Sequence, residues 1–213
     1  MSGITVSQLA VARGGVAILH GISFAAGPGQ ALVLRGANGI GKTTVLRTVA
    51  GLQPPLSGWI APSPDQIAYG GHADAVKGAL SVGENLSFWA SVYGAGGIDA
   101  ALTDMLLQPL RHRPAQTLSA GQKRRLGLAR LLLSKRPVWA LDEPTVSLDQ
   151  ESVALFARLL GRHLAQGGSA LLATHIDLGL PGATTLDLTP YRTLSGRPEA
   201  SAHGPAGFDE AFL

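Results

Sequence analysis

The 213-residue sequence contains no cysteine, which excludes disulfides and thiolate metal sites and fits a reducing compartment. No run approaches the roughly 18 apolar residues that a membrane-spanning helix needs. Residues 1–9 lack a basic stretch followed by an apolar one, so they do not read as a secretory signal. Aromatic residues make up only 5%, few for a surface that would stack on nucleic-acid bases. Charge is also sparse: Lys and Arg total 17 against 14 Asp and Glu, a net +3. The densest basic cluster, Lys123-Arg124-Arg125, reads as salt-bridged helix surface rather than a phosphate track. These absences leave a cytosolic or membrane-peripheral protein that does not bind nucleic acid directly.

What is present is a chain 46% hydrophobic, enough for one domain over residues 1–213 with a substantial core. Residues 4–9 and 16–24 read as strands, the second broken by Gly21, followed by a Gly27-Pro28-Gly29 turn. Short strands are expected at 31–34, 59–60 and 67–69. From about 75 to 133 the pattern is mostly helical, broken at Gly94-Ala95-Gly96-Gly97, and reads as a helical subdomain inserted in an α/β core. Apolar strands return at 138–141 and 169–174, separated by a helix over about 150–164. Alternating strands and helices predict a mainly parallel sheet. The Gly-, Pro- and Ser-rich stretch from about 192 to 213 reads as a loosely ordered tail.

One stretch organises the rest: Gly36-Ala37-Asn38-Gly39-Ile40-Gly41-Lys42-Thr43, between an apolar strand and a helical run that begins at Thr44. Strand, glycine-rich loop and helix are the context that a phosphate-binding P-loop requires. The glycines let backbone N–H groups crowd around phosphate oxygens, and the helix start adds its partial positive charge. Lys42 reaches the outer phosphates as a point charge, and Thr43 offers its hydroxyl to Mg²⁺.

Further residues follow in order. Asp142 and Glu143 end an apolar strand, at the edge where open α/β sheets bind ligands. Asp142 suits the Mg²⁺ shell, through water or through Thr43, and Glu143 suits a general base for the attacking water. Ser119-Ala120-Gly121-Gln122 has capping-box spacing and starts a helix, which is also a surface suited to phosphate. Asp149 lies just beyond the acid pair. His175 ends another apolar strand, either as a surface histidine or as a contact to the γ-phosphate.

Together these motifs resemble the ATP-binding subunit of ABC transporters over nearly the whole chain. On that resemblance residues 36–43 are Walker A, with Thr44 beside it, and 118–122 are the signature. Residues 138–142 are Walker B with catalytic Glu143, Asp149 lies in the D-loop, and His175 is the switch histidine. The family pairs two copies head to tail, so Ser119 and Gly121 of one copy would meet the γ-phosphate held by the other. The resemblance thus implies a homodimer with two sites for ATP and Mg²⁺.

Two positions depart from the family. Where an aromatic residue usually stacks on adenine stand Arg13-Gly14-Gly15, so Arg13 either stacks by its guanidinium plane or is merely exposed in a turn. The Q-loop glutamine is replaced by His72. Tyr69-Gly70-Gly71-His72, Lys77, Glu84-Asn85-Leu86 and Ala120 in the signature are similar to the CcmA type, the ATPase subunit of cytochrome c maturation, or haem exporter ATP-binding protein. That resemblance implies an ATP-hydrolysing subunit peripheral to the cytoplasmic face of the inner membrane, docked on integral membrane subunits. No haem ligation is expected, because His72, His112 and His175 are accounted for by the ATPase. Alternatives are the ATPase subunit of another ABC exporter and, from a different class, a soluble ABC-type ATPase acting on nucleic acid.

Overall fold

In the computed structural model the described residues are 3–193; the tail expected beyond that point lies outside them. Three strands, β1 (Ile4–Arg13), β2 (Val16–Ala26) and β4 (Ser57–Ala61), form an antiparallel sheet in the order β2-β1-β4. A second, five-stranded sheet joins β3 (Ala31–Arg35), β5 (Ile67–Gly70), β6 (Val138–Asp142), β7 (Ser169–Ala173) and β8 (Thr184–Asp187) in the order β5-β6-β7-β3-β8, all parallel. The expected α/β fold, a mainly parallel core sheet with antiparallel strands beside it, is present, the antiparallel strands forming a three-stranded sheet of their own. Gly21 does not break β2 as expected. It takes φ of 74° within a strand whose pairing to β1 shifts register nearby, and the strand runs on to Ala26.

The central strands read as unbroken apolar runs because both of their faces are covered. Side chains alternate along a strand, so Trp139 and Leu141 enter one core while Val138 and Ala140 enter the other. Ala170 and Leu172 join the first in the same way, and Leu171 and Ala173 the second. The first core is closed by α2 (Val82–Tyr93), α3 (Asp99–Asp104), α4 (Ala120–Ser134) and α5 (Gln150–Ala165). The second is closed by the antiparallel sheet and by α1 (Lys42–Val49), whose Val45, Leu46 and Val49 are buried. Leu141, fully buried, is the kind of position where truncation to alanine costs about 2–5 kcal/mol.

Helices α2, α3 and α4 all fall between β5 and β6, neighbouring strands of the parallel sheet. Ser81 caps α2 with Glu84 in a reciprocal capping box, and Gly94 closes it in the left-handed conformation. No described helix is long and apolar enough to cross a membrane.

Candidate nucleotide site

Parallel strands send their carboxyl ends to one edge, so four loops of interest emerge together: residues 36–41 after β3, 71–74 after β5, 143–149 after β6 and 174–176 after β7. The order β6-β7-β3 makes three of these neighbours.

The loop after β3 is built by its glycines. Gly36, Gly39 and Gly41 have φ of 137°, 81° and 124°, which side chains disfavour. A Cβ on Gly41 would also lie 2.9 Å from Ile18 and Leu19 side-chain carbons. Ile40 is buried and pins the loop to the core, while Ala37, Asn38 and Gly39 are exposed. Lys42 Nζ donates to the Gly36 and Ala37 carbonyls at 2.8 and 3.3 Å, so the ammonium curls back over the loop. Gly41 caps α1 without a side-chain hydrogen bond, and the first turn carries no acid. The leading N–H groups of α1 thus point to the loop with nothing from a cap to neutralise them, which is an anion site by construction. Thr43 is exposed there and Thr44 is buried.

Asp142 is buried at the end of β6. Burial, followed by the Asp142 charge, pushes the phenol of Tyr69 on adjacent β5 above its usual pKa. Glu143 takes φ of +46°, rare without glycine. Both of its backbone groups are held: its N–H donates to the Ala173 carbonyl at 2.8 Å, and its carbonyl accepts from Arg124 at 2.6 Å. Its carboxylate, 23% exposed, lies 3.3 Å from His175 Nε2. The carbonyl of Thr174, just before that histidine, accepts from Arg35 Nη1 at 2.7 Å.

Ser119 caps α4 in a reciprocal box, its Oγ accepting from Gln122 N–H at 3.2 Å and Gln122 Oε1 accepting from Ser119 N–H at 3.0 Å. Ser119 and Ala120 are exposed, and Gly121 packs so closely that a Cβ would stand 3.1 Å from the Ser147 carbonyl. His72 shares a small cavity with Asp74, Ala120, Lys123 and Ser147. Asp149 caps α5, and the Ser152 N–H, 2.8 Å away, holds its carboxyl below the usual range. Ala120 of the signature thus lines the His72 cavity, whereas Ala37, Asn38, Gly39 and Ile40 of the phosphate loop line another.

The expectation of a salt-bridged surface for residues 123–125 is corrected at Arg124. This side chain is 4% exposed and donates inward to the carbonyls of Gly71, Glu143 and Pro144 and to Asp74 Oδ1, at 2.6–3.0 Å. Helix α4 turns it under the loops because carbonyls ending two strands converge there and need a donor. Arg125 likewise donates to the Met105 carbonyl. Arg13 is exposed at the end of β1 and is not among the residues lining the cavity beside the phosphate loop. Arg35 escapes sequence reasoning, and so do the contacts of Tyr69 and Arg124, which the sequence offered only as parts of a motif and of a basic cluster. The one signal available was an arginine ending an otherwise apolar strand at Arg35.

Residues 19–146 match the ABC transporter family model. Over the full length of both chains the sequence is 59% identical to the cytochrome c biogenesis ATP-binding export protein CcmA of Rhodobacter capsulatus and 60% identical to that of Paracoccus denitrificans. Among solved structures, a putative ABC transporter ATP-binding protein from Pyrococcus furiosus superposes with a TM-score of 0.79 at 27% identity, covering 90% of this chain and all of that one. An uncapped helix behind a glycine loop, a carboxylate–histidine pair at the neighbouring strand ends and these matches converge: the chain belongs to the ABC transporter family of ATPases, in its CcmA branch of cytochrome c biogenesis ATP-binding export proteins.

Proposed function

We propose that the chain hydrolyses Mg-ATP at residues 36–43 as half of a homodimer and drives integral membrane subunits of cytochrome c maturation from the cytoplasmic face of the inner membrane. The observation that carries the catalytic part is the Glu143 carboxylate held 3.3 Å from His175 at adjoining strand ends. Glu143 accepts a proton from the attacking water, and His175 fixes the carboxylate and faces the γ-phosphate. Loop N–H groups and Lys42 cradle the β- and γ-phosphates.

Thr43 and Asp142 would hold Mg²⁺, which shields the phosphate charge. A hydroxyl and a single carboxylate, completed by phosphate oxygens and water, is a donor set that Mg²⁺ takes readily.

The exposed cap of α4 supports a site shared between copies. None of Ser119, Ala120, Gly121 and Gln122 lines the cavity at their own phosphate loop, and on this reading a second chain brings them to the γ-phosphate, with Asp149 beside the junction. Closure on ATP and reopening after hydrolysis then push on the membrane subunits near His72 and α2–α4. The work is export of haem or release of a haem-loaded chaperone, and no histidine here is assigned to haem.

The test is complementation of a strain lacking its own CcmA, with c-type cytochromes read by haem stain. Wild type should restore them and Glu143→Gln should not. Failure of a well-expressed, ATP-hydrolysing wild type, supplied with its own membrane subunits, would move the assignment to another exporter.

A further inference from the structure

A cavity of about 410 Å³ adjoins the phosphate loop at Ala37, Asn38, Gly39 and Ile40. Its second wall is the start of β2, where Val16 is 53% exposed and Ile18 is half-buried. Its third wall comes from far along the chain: Thr189, Arg192 and Thr193. The turn between β1 and β2 contributes no ring. Arg13 does not line the cavity, and the Cβ positions of Gly14 and Gly15 meet nothing within 4 Å.

The third wall is firmly placed. Leu188 is fully buried and its N–H donates to the Arg35 carbonyl at 3.0 Å. Tyr191 packs on the core beneath the antiparallel sheet. Thr193 N–H donates to the Ile18 carbonyl at 3.2 Å, and Arg192 bridges Leu19. Arg192 itself is exposed and forms no ion pair with a carboxylate among the described residues. A planar cation thus lines the same cavity as Val16 and Ile18, next to the loop that would carry the phosphates.

We propose that this cavity takes the purine base of the nucleotide, with Val16 and Ile18 beneath the ring and the Arg192 guanidinium stacked on its other face. The guanidinium is flat, delocalised and weakly hydrated, so it can cover an aromatic ring as an aromatic side chain would. Binding of the base then depends on the C-terminal segment rather than on the β1–β2 turn. The inference rests on residues 36–43 holding the phosphates.

Calorimetric titration of the full-length chain with MgADP and with inorganic pyrophosphate tests it, neither ligand being a substrate for γ-phosphate hydrolysis. Arg192→Ala should weaken MgADP about tenfold and leave pyrophosphate binding unchanged. Arg192→Trp should restore MgADP affinity, whereas Arg192→Lys, with the charge but no plane, should not. Unchanged MgADP affinity in Arg192→Ala, parallel loss of both ligands, or full rescue by lysine overturns the proposal. Lys42→Ala separates the premise from the inference: if it leaves pyrophosphate binding intact, the phosphates lie elsewhere and the loop assignment itself fails.

Discussion

Arg124 Nη2 donates to the main-chain carbonyl of Glu143 at 2.6 Å, while the same guanidinium reaches the Gly71 carbonyl at 2.8 Å and Asp74 at 3.0 Å. One buried cation thereby joins the helix that begins at Ser119, the loop carrying His72 and the strained backbone of Glu143. A side chain so placed fixes where the Glu143 carboxylate points without touching a substrate. Arg124→Met should leave several buried carbonyls unpaired and cost about 2–4 kcal/mol in urea unfolding. Below the unfolding range its kcat should fall at least about tenfold with nucleotide affinity little changed, since misaiming a base acts on the transition state. Asp74→Asn keeps the carbonyl bonds, so its stability loss should stay below about 1 kcal/mol.

Glu143→Gln should separate binding from turnover. The amide keeps the shape of the carboxylate and its place beside His175 but cannot accept the water proton. Turnover should fall about 10²- to 10⁴-fold, with MgATP still bound. If two copies share each site, this variant should elute as a dimer in size-exclusion chromatography with MgATP and as a monomer without it. A monomer under both conditions would contradict a shared site.

The loop at residues 36–43 was legible in the sequence because its constraint is local: only glycine satisfies φ of 137° and 124° so close to packed side chains. The apolar runs of β6 and β7 were legible because both faces of each strand are buried. Strand β8 was not, since as an edge strand exposed along most of its length it carries no apolar run. Arg35 and Arg124 were hidden for another reason. The carbonyl partner of Arg35 is 139 residues away and those of Arg124 are 19 to 53 away, and a carbonyl leaves no trace in side-chain pattern. Arg192 was missed because its wall of the cavity meets β2 only after the chain has completed the parallel sheet.

His72→Gln tests whether the Q-loop substitution carries a function. His72 is exposed, and its side chain shares a cavity with Ala120 and Ser147 rather than packing in a core, so stability should change by less than about 0.5 kcal/mol. Coupling should be more sensitive. If the histidine transmits nucleotide state to membrane subunits, ATPase activity of the isolated chain should persist while cytochrome maturation drops. Equal maturation by both variants would make His72 a tolerated replacement.

Acid sensitivity should come from the end of the sheet opposite the nucleotide site. His163 on α5 stacks on Trp139, with centroids 4.0 Å apart and planes 11° apart, and its Nε2 lies 3.3 Å from the Ser169 carbonyl. Desolvation by burial, opposed by weaker hydrogen bonds to the Ser169 and Pro137 carbonyls, holds the imidazole below its ordinary pKa. The folded chain therefore binds this proton less readily than the unfolded chain, and stability rises with pH across the window between the two values. The loss on acidification begins near the unfolded histidine value of about 6.5 and levels off below the folded one. The other ionisable groups lining this region are Asp104, paired with Arg162, and the cations Lys135 and Arg136. The thermal midpoint should thus drop between pH 7.5 and 5.5, and His163→Phe, which keeps the stack on Trp139 without a titrating group, should reduce that drop. An identical pH profile in the two proteins would place the acid-sensitive group elsewhere.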